Sequence, residues 1–300
     1  MTDDQRPPLA TDLVRQIAVL SAVGFMLVAA LFGSGFFGGT DVSELQDGNL
    51  AADSTYLAPG SPAFSIWSLI YVLMIAYAVW QALPAERARE RQRFAGWWIA
   101  VTAVLNGFWL LAAQYLNLLA TVIAIVLLLI ALAATMRVLV VRPPQRVTDV
   151  VFTDLTVGFH LGWVTLATVA NVTAWLTADV APAAWGEAAI PVAITVLVVV
   201  TLIGVALAYG TRGRLAPGLA AGWGLMWIGI ARATDEPSSM TIAVAAWIAA
   251  ALVVLAPIAM MLTGRPGRGE FDRRPDDRTD DRSRAVRTSE RSAAGSAPAR

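Results

Sequence analysis

The chain has 300 residues, 57% of them hydrophobic and 15% charged, with a formal net charge of zero. Soluble domains carry ~25% charged residues, so this composition describes a membrane protein, and a neutral chain offers no electrostatic footprint for nucleic acid. Cysteine and lysine are absent and histidine occurs once, which excludes disulfides, thiolate metal sites and Schiff-base chemistry and leaves no ordinary ligand set for zinc or iron.

A membrane-crossing helix needs ~20 apolar residues at ~1.5 Å rise per residue. Residues 1–16 read as a polar cytoplasmic segment. The uncharged run from Gln16 to Thr40 is too long for a signal-peptide core and lacks a small-x-small cleavage site, so it reads as a retained span. Gly35 and Gly39 near its end suit close helix approach and a turn. An acidic loop to Pro62 leads through the break PGSP to a second span at about 63–83. The charged stretch ERARERQR (86–93) reads as a connection, and the uncharged run 94–136 as a helical hairpin broken at QYLN (114–117). The fifth span is Leu155 to Leu176, the sixth Ala188 to Tyr209, the seventh and weakest Leu215 to Ala231, and the eighth about Met240 to Leu262. Residues 263–300 mix arginine with Asp, Ser, Gly and Pro around a single aromatic, Phe271, a composition expected to stay disordered.

Charge placement orients these spans. Arg87, Arg89, Arg91, Arg93, Arg137, Arg142, Arg146, Arg212 and Arg214 fall in loops of one side, whereas Arg232 is alone on the other among eight acids. The positive-inside bias gives eight helices with both termini cytoplasmic, in an inner (plasma) membrane.

Three spans carry stripes of aromatic and neutral polar residues. On the fifth, His160, Trp163, Ala167 and Asn171 fall within roughly 80° at ~100° per residue. On the second, Trp67, Tyr71, Met74 and Ala78 share a face; on the third, Thr102, Asn106, Trp109 and Ala113 do. Each stripe has two readings. Asparagine and threonine bridge membrane helices and tryptophan fills voids, which would make the stripes interhelical glue. Equally, four large aromatics facing inward would line a pocket for a flat apolar ligand. His160 is read either as a neutral histidine bonded to a neighbouring helix or as a ligand contact, with axial ligation of a porphyrin iron as a further case. Its flanks Gly158 and Gly162 have the spacing that lets another helix come close, as have Gly218 and Gly222 on the seventh span. Asp154 is expected at the cytoplasmic rim, paired with Arg146 or another arginine. No carboxylate lies at mid-depth in any span, which counts against a proton-coupled transporter.

The ordered stretches WSLIYVLM (67–74), LNGFW (105–109) and WVTLATVAN (163–171) resemble the motifs of the tryptophan-rich sensory protein family, also called TspO/MBR or the peripheral benzodiazepine receptor family. The resemblance implies that residues 17–176 form a five-helix bundle enclosing a pocket, with helices at 177–262 added to it. It implies a receptor or sensor for porphyrins and haem-related tetrapyrroles, or for sterol- or isoprenoid-like molecules; bacterial members are linked to stress and tetrapyrrole regulation. The matching pocket residues are Trp67, Tyr71, Asn106, Trp109, Trp163, Ala167 and Asn171. Where the family has a PYLxW sequence, this chain has FHLGW (159–163), so histidine stands at the tyrosine position and the proline is lost.

The expected function is therefore binding of a hydrophobic small molecule between helices two, three and five, with a membrane transporter or channel as the alternative. An enzyme is the weakest reading, since there is one histidine and no buried acid. No resident cofactor or metal is expected beyond a porphyrin or haem held as ligand. Membrane lipids are the other expected partners, and the added helices are open to gating, pocket-widening or homodimer roles.

Overall fold

The computed structural model describes residues 7–33, 44–180, 186 and 188–263. Among them the chain is all-α, with eight long helices: α1 (Ala10–Gly33), α2 (Ile66–Ala82), α3 (Glu90–Tyr115), α4 (Leu118–Val141), α5 (Leu155–Trp175), α6 (Ala189–Gly210), α7 (Leu215–Thr234) and α8 (Met240–Leu262). The chain divides into a compact unit, Met1–Ala259, and a second unit, Met260–Arg300. The expected close approach at Gly35 and Gly39 and the expected disordered tail lie outside the described residues.

Two of the boundaries that differ from the sequence reading do so for the same reason. Helix α1 starts at Ala10, ahead of the expected boundary at residue 17, and carries Asp12 and Arg15 buried in its first turns. The charged stretch 86–93, read as a connection, enters α3 at Glu90, and Arg89 and Arg91 are buried. Charges are tolerated in these helix ends because each has a partner. The Arg93 guanidinium donates to both carboxylate oxygens of Asp12 at 2.8 and 2.7 Å. Arg15 donates to Gln81 Oε1 at 2.9 Å and to the Arg87 carbonyl at 3.1 Å.

Seven helices are long and apolar enough to cross a membrane; α7 is the exception. Its four glycines, two tryptophans and Arg232 lower its hydropathy. Protein rather than lipid surrounds much of it, since its small residues pack against α5 and α8. A Cβ on Gly158 of α5 would sit 2.7 Å from Ala216 Cβ, and one on Gly218 of α7 would sit 2.6 Å from the Val253 carbonyl oxygen of α8. The glycine spacings noted on both helices thus serve close packing.

Helix α5 is the centre of the unit. In the most apolar part of its span 67% of residues are buried, against 22% for α6. The helical path continues beyond α5 at both ends through π-turns at Val150–Asp154 and Leu176–Val180. Leu161, Trp163 and Val164 of α5 belong to the hydrophobic cluster built with α1–α4, whereas Leu166 belongs to the one built with α6–α8.

Candidate functional site

Proline 62 opens the site. It sets a tight turn, Ser61–Ser65, that leads straight into α2. The Ala63 carbonyl in that turn accepts from Trp223 Nε1 of α7 at 3.0 Å, so α7 fixes where α2 begins and how deep Trp67 lies.

Trp67 is the hub of an aromatic cluster drawn from α2, α3 and α5. Its ring stacks on Tyr71 (centroids 5.5 Å apart) and Trp109 (6.2 Å), and meets Trp163 (6.0 Å) and His160 (6.1 Å) edge to face. Phe64 adds an edge contact to Trp163 at 5.8 Å. Such geometries contribute ~0.5–1.5 kcal/mol per pair beyond burial. Two polar links tie α3 to α5. Trp109 Nε1 donates to Asn171 Oδ1 at 3.1 Å, while Asn171 Nδ2 donates to the Ala167 carbonyl at 3.0 Å. Asn106 Nδ2 lies 3.5 Å from His160 Nε2. Both asparagines therefore bridge helices, as the glue reading anticipates.

The cluster is not saturated. Asn106 Oδ1, His160 Nδ1 and Trp163 Nε1 are buried and have no hydrogen-bond partner among the described residues. Orphaned polar groups at membrane depth are costly, and these three are hydrogen-bonding capacity that the described residues leave unused.

The eight expected site residues fall into two sets. Trp67, Trp109, Trp163, Ala167 and Asn171 wall a cavity of about 50 Å³. Tyr71, Asn106 and His160 are not in that wall; His160 is fully buried and separated from it by the Trp67 ring. An axial bond from His160 to a haem iron would thus require Trp67 to move aside. The opposite wall is the loop before α2, where Asn49, Leu50, Ala51, Ser54, Ala58 and Pro59 cover the cavity. That loop has no periodicity or motif, and nothing in the sequence points to it as a wall. Phe64, by contrast, is legible as the aromatic one turn before Trp67.

A space of about 50 Å³ has room for a few waters, at ~10–15 Å³ each. Pockets for drug-sized ligands have ~300–1,000 Å³. In this state the loop closes the site.

The arginine-rich end of the bundle is a separate, structural network. Arg89 donates to both oxygens of Asp149 and to Glu86, each at 2.7 Å. Burial alone lowers the Arg89 pKa, but the Asp149 and Glu86 carboxylates more than reverse it, so the pKa is raised. Asp154 pairs with Arg91 and lies 3.7 Å from Arg214, so its partner is another arginine rather than Arg146, which sits 3.8 Å from Glu86.

A bundle of eight long helices, seven of them among the described residues long and apolar enough to cross a membrane, with a tryptophan-walled cavity, is a polytopic membrane protein. A family model described as TSPO-like protein matches residues 15–259, and the chain belongs to that family. The match runs from α1 into α8 and so takes in the helices beyond α5. No curated protein and no solved structure matches the chain at significance.

Proposed function

We propose that this protein is a membrane receptor or sensor that binds a flat apolar ligand, of tetrapyrrole or isoprenoid/sterol type, between α2, α3 and α5. The observation that carries this reading is the wall of Trp67, Trp109 and Trp163, set beside three buried polar atoms without partners. Stacked indoles supply a flat apolar face, and Trp163 Nε1, the orphaned atom that belongs to a wall residue, supplies orientation, as in cavities that hold largely apolar ligands. Binding displaces the loop carrying Leu50, Ala51 and Ser54, because the closed cavity is too small for such a ligand.

Ligand binding without turnover fits the cluster, in which the His160 imidazole has the Asn106 amide beside it and no carboxylate partner among the described residues. Transport has less support, since no acidic side chain lines the cavity and the loop closes one side of it. The bound ligand is the only cofactor-like group in this reading. We place the protein in the inner (plasma) membrane with the arginine-rich end and both termini in the cytoplasm, following the asymmetry of loop arginines.

Titration of the detergent-purified chain with protoporphyrin IX is expected to quench tryptophan fluorescence saturably. Trp163→Ala is expected to abolish the saturable component. Quenching no greater than that of the porphyrin in detergent alone would sink the proposal.

A further inference from the structure

A second, larger cavity lies away from the tryptophans. It measures about 230 Å³ and is bounded by the end of α5 (Thr173) and the π-turn after it (Leu176, Thr177), the start of α6 (Val192, Ala193, Val196) and the loop at Thr55–Leu57. Ser54 borders both this cavity and the aromatic one. The second cavity is a partly open apolar groove, since Tyr56, Thr173, Leu176, Thr177, Val192 and Val196 are all half-buried.

Its chemistry narrows the occupant. No charged residue lines it among the described residues. Most of its hydroxyls are already engaged: Thr173 donates to the Val169 carbonyl at 2.9 Å, Ser54 donates to the Ala51 carbonyl at 2.8 Å, and Thr55 Oγ1 accepts from the Leu57 amide at 3.3 Å. A water cluster would find too few polar partners among these groups. The hydroxyls of Tyr56 and Thr177 remain without a hydrogen bond among the described residues. One wall is α6, the least buried of the membrane-crossing helices, with Val198, Val199 and Leu202 exposed along it. A single helix therefore separates the cavity from the hydrocarbon of the bilayer.

We propose that this cavity is a second binding site, which takes the hydrocarbon chain of a neutral single-chain amphiphile bearing a hydroxyl or carbonyl head. The chain lies against Leu176, Val192 and Val196, and the head bonds to Tyr56 or Thr177. A carboxylate or phosphate head is disfavoured because no cationic side chain is among the described lining residues and the nearby Arg232 guanidinium is engaged by the Thr55 and Ala52 carbonyls. The site shares Ser54 with the proposed tryptophan site but uses none of its aromatic residues, so its test stands or falls separately.

The test uses the full chain in phosphatidylcholine nanodiscs and a diazirine-bearing hexadecanol, with crosslinks mapped by mass spectrometry. Saturable labelling is expected on the peptides carrying Thr173–Thr177 and Val192–Val196. Unlabelled hexadecanol is expected to compete ~10-fold better than hexadecanoate, which is the tenfold that one buried unpaired charge easily supplies. Val196→Phe, which fills the void, is expected to cut this labelling at least ~5-fold without lowering the unfolding temperature, because an apolar ring replaces empty space; Val192→Phe serves the same purpose should the first variant fail to fold. Labelling spread without saturation over the lipid-exposed helix faces would show annular lipid only and overturn the proposal. Equal competition by hexadecanoate would overturn it too.

Discussion

Trp109 has two roles that different measurements separate. Its ring stacks on Trp67, and its indole N–H holds Asn171 Oδ1 at 3.1 Å. Trp109→Phe keeps a stackable ring and deletes the donor, leaving a buried amide oxygen on α5 without a partner. Membrane interhelical hydrogen bonds average ~0.6 kcal/mol and reach ~1.7, so a loss of about 1 kcal/mol is expected in reversible unfolding in mixed micelles. Protoporphyrin quenching is expected to persist, because the flat face remains. A variant as stable as the parent would show that the bond contributes nothing net. Residue-level legibility followed the same line between angle and depth. Periodicity placed all eight site residues on inward stripes, but it says nothing about position along the helix axis. Tyr71 follows Trp67 on α2, whereas Asn106 and His160 precede their tryptophans on α3 and α5. Helices that alternate in direction put all three on the arginine-rich side of the tryptophan layer, displaced by ~4.5–6 Å at 1.5 Å per residue. Helix direction was available from the charge bias, so this layering was within reach of the sequence although the stripes alone did not yield it.

At the scale of elements, the eight helices were legible because long uncharged runs have few alternatives in a lipid-embedded chain. Their ends were less so. Asp12, Arg15, Arg89 and Arg91 look like loop residues until their partners on other helices are known. The glycine spacing on α5 was readable as a close-packing device, but its partner was not; the structure shows α7. A Cβ on Gly162 would fall on the Pro217 carbonyl group, and backbone cannot swing away as a flexible side chain can. Gly162→Ala is accordingly expected to destabilise by ~1–3 kcal/mol, read as a lower unfolding temperature, and to weaken porphyrin quenching through the adjacent Trp163. Gly24→Ala is the control. Nothing lies within 4 Å of its Cβ position, and Ala favours helix over Gly, so an unchanged or higher unfolding temperature is expected. Equal losses for both variants would dissociate the effect from α5–α7 contact.

For the whole molecule, the helices beyond α5 acquire a task through the loop they hold. Arg232, in the last turn of α7, is buried and donates to the carbonyls of Thr55 and Ala52, both at 3.0 Å. The Gly60 amide donates to the Trp227 carbonyl at 3.3 Å, also on α7. The segment between these anchors is the one whose Ser54, Ala58 and Pro59 close the aromatic cavity. Hydrogen bonds from a charged donor contribute ~1.5–3 kcal/mol, so two of them from one guanidinium are enough to set how often the loop lifts. Arg232→Met retains much of the apolar stem and removes both bonds. Protoporphyrin association, followed by stopped-flow quenching, is expected to become several-fold faster, and dissociation is expected to quicken with it because an open loop neither excludes nor retains the ligand. Arg232→Lys, which offers a compact donor in place of a fork that spans two carbonyls, is expected to fall between the two. If association were unchanged in an Arg232→Met protein that still unfolds at the parental temperature, the ligand would have to reach the tryptophans by a path that leaves this loop in place.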